Sequence, residues 1–271
     1  MSVIIFSHAN SFPASTYKVL FKDLRSRGFT VKAIEKYGHD PRYPVTNNWP
    51  HVVQQLLDFM QGVVDKAGEP VWLVGHSLGG FLSLMAASRH PDLARGVLLI
   101  DSPLLGGWRS TAVGVMKTTQ MFGSLSPGAV SQRRRNNWPT VQAAYDHFRH
   151  KKAFARWDDA VLMDYCQHGT LEANGKRELS FDRHVETQFY NTLPDNLEQL
   201  LARHPLKCPA SFIGGLASHE MKQVGMATTA RITRGRVMML DGSHLFPMEQ
   251  PVATGAAIEA ALRNMDAITP K

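Results

Sequence analysis

Val71-Trp72-Leu73-Val74-Gly75-His76-Ser77-Leu78-Gly79-Gly80 is the stretch on which the fold turns. Its first four residues are apolar and largely β-favouring, which reads as a buried strand. Phe81 to Ser88 follows as a helix, closed by His90-Pro91. Between the two, Gly75 and Gly79 stand two residues either side of Ser77. Glycine at those places lets the backbone double back from strand into helix without a Cβ clash. Such a turn lifts the serine hydroxyl clear of the sheet edge, where the N–H groups opening the next helix favour negative charge. Ser77 is therefore the candidate nucleophile. A glycine-rich turn with an incidental serine is the bland alternative; the flanking strand and helix, Gly80 and a histidine far downstream weigh against it.

The same alternation extends outward. Val3–Phe6, Thr30–Ile34 and Gly96–Ile100 read as strands, and Tyr17–Arg27 and Trp49–Lys66 as helices with apolar residues at helical spacing. Strand and helix in strict alternation predict an α/β domain with a parallel sheet and helices on both faces. The rhythm stops at 103–205, a helical and irregular stretch, and returns with strands at Ala210–Ile213 and Arg236–Leu240. The simplest organisation is a core of 1–102 and 206–271 with a helical insertion, 103–205, over the ligand crevice. Its aromatics (Trp138, Tyr145, Phe148, Phe154, Trp157) either line an apolar pocket or pack the insertion's own core.

Composition excludes other classes. Of 271 residues 44% are hydrophobic and 20% charged, which disfavours a disordered chain. Thirty Lys+Arg against 23 Asp+Glu leave a net charge of +7, but the basic residues are scattered. The clusters Arg133-Arg134-Arg135 and Lys151-Lys152 read as solvated faces, so no nucleic-acid partner is expected. Two separated cysteines, Cys166 and Cys208, make neither a disulfide framework nor a zinc pattern. The opening residues lack the pattern of a signal peptide, and no apolar run is long enough to span a bilayer. A cytoplasmic protein is the expectation, with a homodimer left open.

One of the 12 histidines is placed to serve Ser77. His244 lies in Asp241-Gly242-Ser243-His244-Leu245, in a loop after the last strand. A neutral imidazole there can take the serine proton and return it to a leaving group. The oxyanion donors are expected to be the Leu78 backbone N–H, next to the nucleophile, and that of Asn10 in the loop after the first strand.

Together these features resemble the α/β-hydrolase superfamily, over essentially the whole chain. His8-Ala9-Asn10 is similar to its oxyanion loop, Gly75–Gly79 to its nucleophile turn, and Asp241–His244 with Glu249-Gln250-Pro251 to its histidine loop and last helix. The resemblance implies a mostly parallel sheet of about six strands, lacking the family's usual first two, with a helical lid. It also implies an acid behind the histidine. The common place for it, after Ala210–Ile213, holds Ser218, with Glu220 two residues on. The alternative place, the end of the preceding strand, holds Asp101. Asp101 is the first choice; Glu220, Asp241 or no acid remain open. The reaction implied is hydrolysis of carboxylic esters or thioesters with apolar acyl groups, without metal or cofactor. C–C hydrolase, lactonase, perhydrolase and hydroxynitrile lyase chemistry, or a non-catalytic ligand-binding member, are the alternatives.

Overall fold

The computed structural model describes residues 2–104, 106 and 131–268. The expected insertion 103–205 thus lies partly, at 105 and 107–130, outside the described residues. In chain order the elements of the main sheet and its helices are β1 (Val3–Ser7), α1 (Lys18–Ser26), β2 (Thr30–Ala33), α2 (Pro50–Ala67), β3 (Val71–His76), α3 (Leu78–Arg89) and β4 (Ala94–Ile100). After β5 (Asn137–Trp138) come α4 (Val141–Arg149), α5 (Asp159–His168), β6 (Thr170–Ala173), β7 (Lys176–Leu179), α6 (Arg183–Asn191) and α7 (Leu197–Arg203). The chain then returns to the main sheet through β8 (Ala210–Gly215), α8 (His219–Val224), α9 (Ala227–Thr233), β9 (Val237–Leu240), α10 (Phe246–Glu249) and α11 (Pro251–Ala267).

Six strands pair in the order β2-β1-β3-β4-β8-β9, and every pairing is parallel. Parallel strands buried on both faces read as continuous apolar runs, and β3 is buried at all six positions. The period-two alternation divides these runs between two cores. Ile4, Phe6, Val74, Leu98 and Ile100 face Leu20, Phe21 and Leu24 of α1 and Ile258, Leu262 and Met265 of α11. Ile5, Leu73, Val97 and Leu99 face Val52, Val53, Leu56 and Met60 of α2 and Leu82 of α3. This is the doubly wound architecture the alternation predicts.

Strand order reverses between β1 and β3. At such a switch point the loops leaving adjacent strands diverge to opposite faces and open a crevice at the carboxyl edge. Residues 8–10 leave β1 there, and Ser77 leaves β3 there.

The described part of the stretch between β4 and β8 holds strands as well as helices. It contains a three-stranded antiparallel sheet, β5-β7-β6. Its hairpin turns on Asn174-Gly175, both at positive φ (52° and 70°), as a type I′ turn requires. The strands are two to four residues long and mostly polar, so they carry no apolar period to read. Trp138, Phe148, Phe154 and Trp157 are buried together with Tyr165 and join the core on the α1 side. Arg134 departs from the solvated-face reading: its guanidinium pairs with the buried Glu186 carboxylate at 2.7 Å. No helix among the described residues is long and apolar enough to cross a membrane.

Candidate active site

Ser77 sits at φ 53°, ψ −117°, a conformation few non-glycine residues adopt. The turn is held because its neighbours are too close for side chains. A Cβ on Gly75 would lie 2.1 Å from the Gly79 carbonyl oxygen, and one on Gly79 would lie 2.0 Å from that of Ser7. Ser77 N–H donates to the Ile100 carbonyl at 2.9 Å, and Ser102 Oγ donates to the Ser77 carbonyl at 2.8 Å. Leu78 is the first residue of α3, so its amide has no intrahelical acceptor.

The loop after β9 brings His244 to this hydroxyl. Ser77 Oγ lies 3.0 Å from His244 Nε2, and His244 Nδ1 lies 2.6 Å from Asp101 Oδ2. A carboxylate can only accept, so the imidazole proton rests on Nδ1 and Nε2 offers its lone pair to the serine. Asp101 is fully buried at the end of β4, with φ 41°. Its oxygens also accept from Gly215 N–H at 2.9 Å and from Ser218 Oγ at 2.6 Å. Ser218, standing where the resemblance places the acid, thus donates to Asp101 instead.

Glu220 lies further out. Its carboxylate is 3.9 Å from His244 Nδ1 and about half exposed. Asp241, the remaining option, is exposed and faces Arg156 at 3.6 Å. Among the described residues, Asp101, Glu220 and His244 are the group whose donor atoms lie close enough, within 4.8 Å, to share a cation. Two of the three are already engaged with one another through the 2.6 Å contact.

Burial works to lower the His244 pKa, but the Asp101 hydrogen bond and the charges of Glu220 and Asp101 outweigh it and raise it above the ordinary histidine value. A general base must be neutral, so activity should rise with pH as His244 loses its proton. Removing the Glu220 charge destabilises the imidazolium and lowers that pKa. Glu220→Gln is therefore expected to shift the acid limb of the kcat/KM profile to lower pH. The shift should shrink in high salt, because Glu220 is solvent-exposed. An unchanged limb would show that Glu220 does not act on His244.

The loop after β1 is a β-turn closed by Phe12 N–H on the Ala9 carbonyl at 3.2 Å, with Ser11 at φ 77° as a type II turn requires. His8 Nδ1–H also donates to that carbonyl at 2.8 Å, and His8 Nε2 accepts from Tyr37 N–H at 3.0 Å. Both ring nitrogens are thereby used, and burial pushes the His8 pKa down to about 4, so it stays neutral. Because the peptide is planar and trans, a carbonyl drawn to one side turns the Asn10 N–H to the other. The Asn10 side chain donates to the Glu186 carbonyl at 3.1 Å, and Ser11 Oγ donates to the Glu186 carboxylate.

The segments that follow β1, β3, β8 and β9 border one cavity of about 1030 Å³. Asn10, Ser77, Leu78 and His244 all line it. Phe12, Trp49, Phe81, Phe189 and Leu193 supply apolar wall, and Lys152, Arg156, Glu220 and Glu249 are its charged lining. Arg156 pairs with Glu249 at 3.5 Å, and Glu249 accepts from the Ser243 amide at 3.2 Å, next to His244. The insertion's aromatics Trp138, Tyr145, Phe148, Phe154 and Trp157 are not among the lining residues, so the packing reading holds for them. Glu186 escaped the sequence reading, and the hydrogen bonds of Ser218 and His8 were not legible in it. Only the coincidence of Ser218 with the usual acid position offered a signal.

Residues 4–257 match the model of a family described as the alpha/beta hydrolase family. A candidate non-heme haloperoxidase of Mycobacterium phage D29 is 21% identical over 272 residues, 97% of this chain and 88% of the phage protein. Monoglyceride lipase of Rattus norvegicus is 32% identical over 108 residues, 38% of this chain and 35% of the lipase. The crystal structure of E-2-(acetamidomethylene)succinate hydrolase superposes with a TM-score of 0.75 at 20% identity, covering 97% of this chain and 91% of that one.

Proposed function

The chain belongs to the alpha/beta hydrolase family, and from that premise we propose that it is a serine hydrolase cleaving carboxylic esters or thioesters of small to medium apolar acids. The observation that carries the reading is the continuous contact Ser77–His244–Asp101, whose first two members line a largely apolar cavity. Ser77 Oγ attacks the substrate carbonyl carbon while His244 Nε2 takes its proton. The carbonyl oxygen becomes an oxyanion, stabilised by the backbone N–H groups of Asn10 and Leu78. Collapse breaks the bond to the alcohol or thiol, which leaves with the proton from His244. Water, deprotonated by the same imidazole, then attacks the acyl-enzyme and releases the acid. Asp101 holds the ring in the required tautomer and stabilises the imidazolium.

The stretch 103–205 acts in this reading as a lid. Lys152, Arg156, Phe189 and Leu193, which it contributes to the cavity wall, support that role. The relatives named for hydrolysis, the monoglyceride lipase and the succinate-derivative hydrolase, are consistent with it. The test is turnover of p-nitrophenyl esters of increasing acyl length, with a fluorophosphonate as active-site label. Saturable hydrolysis with a chain-length optimum, and labelling at Ser77, are expected. A protein that binds the esters yet neither turns them over nor takes the label is a ligand-binding member.

A further inference from the structure

The residue before the nucleophile, His76, does not line the cavity and is fully buried. Burying an imidazole costs several kcal/mol unless both nitrogens are satisfied. Here both are, and the pattern of donors leaves one assignment of protons. His76 Nε2 lies 2.9 Å from the backbone carbonyl oxygen of His244, which can only accept, so Nε2 carries the hydrogen. Burial, with the charge of nearby His244, holds the His76 pKa down to about 3, so the ring is neutral and Nδ1 is a bare acceptor. Its partner is the Tyr17 hydroxyl at 2.8 Å, which must donate. Tyr17, 1% exposed, keeps its lone pairs for the Ala9 N–H, which donates to it at 3.1 Å.

The chain of donors therefore runs from Ala9 N–H to Tyr17 Oη, from Tyr17 O–H to His76 Nδ1, and from His76 Nε2–H to the His244 carbonyl. It ends, on one side, one residue before the oxyanion donor Asn10. On the other it ends on the backbone of the general base, and its middle member adjoins Ser77. The connection after β1, the end of β3 and the loop after β9 are thus tied through Tyr17 and His76, neither of which lines the cavity. Their separate placement matters because proton transfer and oxyanion binding tolerate only small displacements.

We propose that Tyr17 and His76 are positioning residues for acyl transfer, a buried brace that holds the oxyanion loop and the His244 loop in register about Ser77. The inference rests on the serine-hydrolase reading. It assigns a role to a histidine that offers neither nitrogen to the cavity and to a tyrosine on the turn before α1.

The test is steady-state hydrolysis of p-nitrophenyl butyrate by Tyr17→Phe, His76→Leu, His76→Gln and Tyr17→Phe/His76→Leu. Tyr17→Phe keeps the ring and its apolar contacts, so it carries the test even if His76→Leu does not fold. Loss of the hydroxyl should lower kcat about 10- to 100-fold and leave KM within about twofold. His76→Leu should do the same. The double variant should be no worse than about twofold below the lower single, because either change already breaks the brace. His76→Gln, which can both donate and accept, should recover part of the loss. Wild-type kcat in Tyr17→Phe, a loss confined to KM, or additive effects in the double variant would each overturn the brace. Ser77→Ala run alongside separates the two claims: if it still turns over, the serine-hydrolase reading fails. If it is inactive while Tyr17→Phe is unimpaired, only the brace fails.

Discussion

Ser77→Ala should lower ester turnover roughly ten-thousand-fold or more and abolish labelling by a fluorophosphonate, while Tm stays within about 4 °C of the parent. The size follows from what is lost. Without the hydroxyl no acyl-enzyme forms, and only the oxyanion donors and the binding of substrate remain to help water. The fold should tolerate the change because a methyl group fits wherever the serine Cβ already does. The strained turn is fixed by the close approaches of Gly75 and Gly79, not by the hydroxyl. Single-turnover kinetics and a mass spectrum of the labelled protein are the measurements. Retained turnover in a folded Ser77→Ala protein would remove the nucleophile from the mechanism.

Asp101→Asn is the second large effect, expected to cost about ten-thousand-fold in kcat. Gly215 N–H already donates to Asp101 Oδ1, so an asparagine would turn its carbonyl oxygen there and its amide nitrogen toward His244. The imidazole would then accept at Nδ1 and carry its proton on Nε2, where it meets Ser77 and cannot take the serine proton. Glu220→Gln in the same assay should keep kcat within about threefold, since a carboxylate at 3.9 Å tunes the ring without orienting it. If Glu220→Gln were inactive and Asp101→Asn near wild type, the acid would be Glu220. Crystal structures of both variants would show which side chain faces Nδ1.

The cavity's surroundings show where reading a sequence stops. The inner strands of the main sheet, β1, β3, β4 and β8, announced themselves because they are buried on both faces. The strands β5, β6 and β7 did not, because they are short and polar. Asn174-Gly175 was nevertheless a hairpin signal of the strongest short-range kind, and it stood between segments too polar to draw attention. Arg134 looked like one of three solvated arginines. Its partner, Glu186, lies 52 positions away, and no local pattern could have paired them.

What the sequence by itself determined was the local steric logic. Glycines two places either side of Ser77 can serve only a turn too tight for side chains. Alternating apolar runs and amphipathic helices can bury themselves only as a two-faced parallel sheet. Those conclusions depend on neighbours along the chain, and the chain displays them. The tertiary structure decided which carboxylate meets His244, which groups hold the loop after β1, and which partners the buried His76 finds. Each depends on atoms brought to about 3 Å by segments from different strands, a closeness that spacing along the chain does not encode.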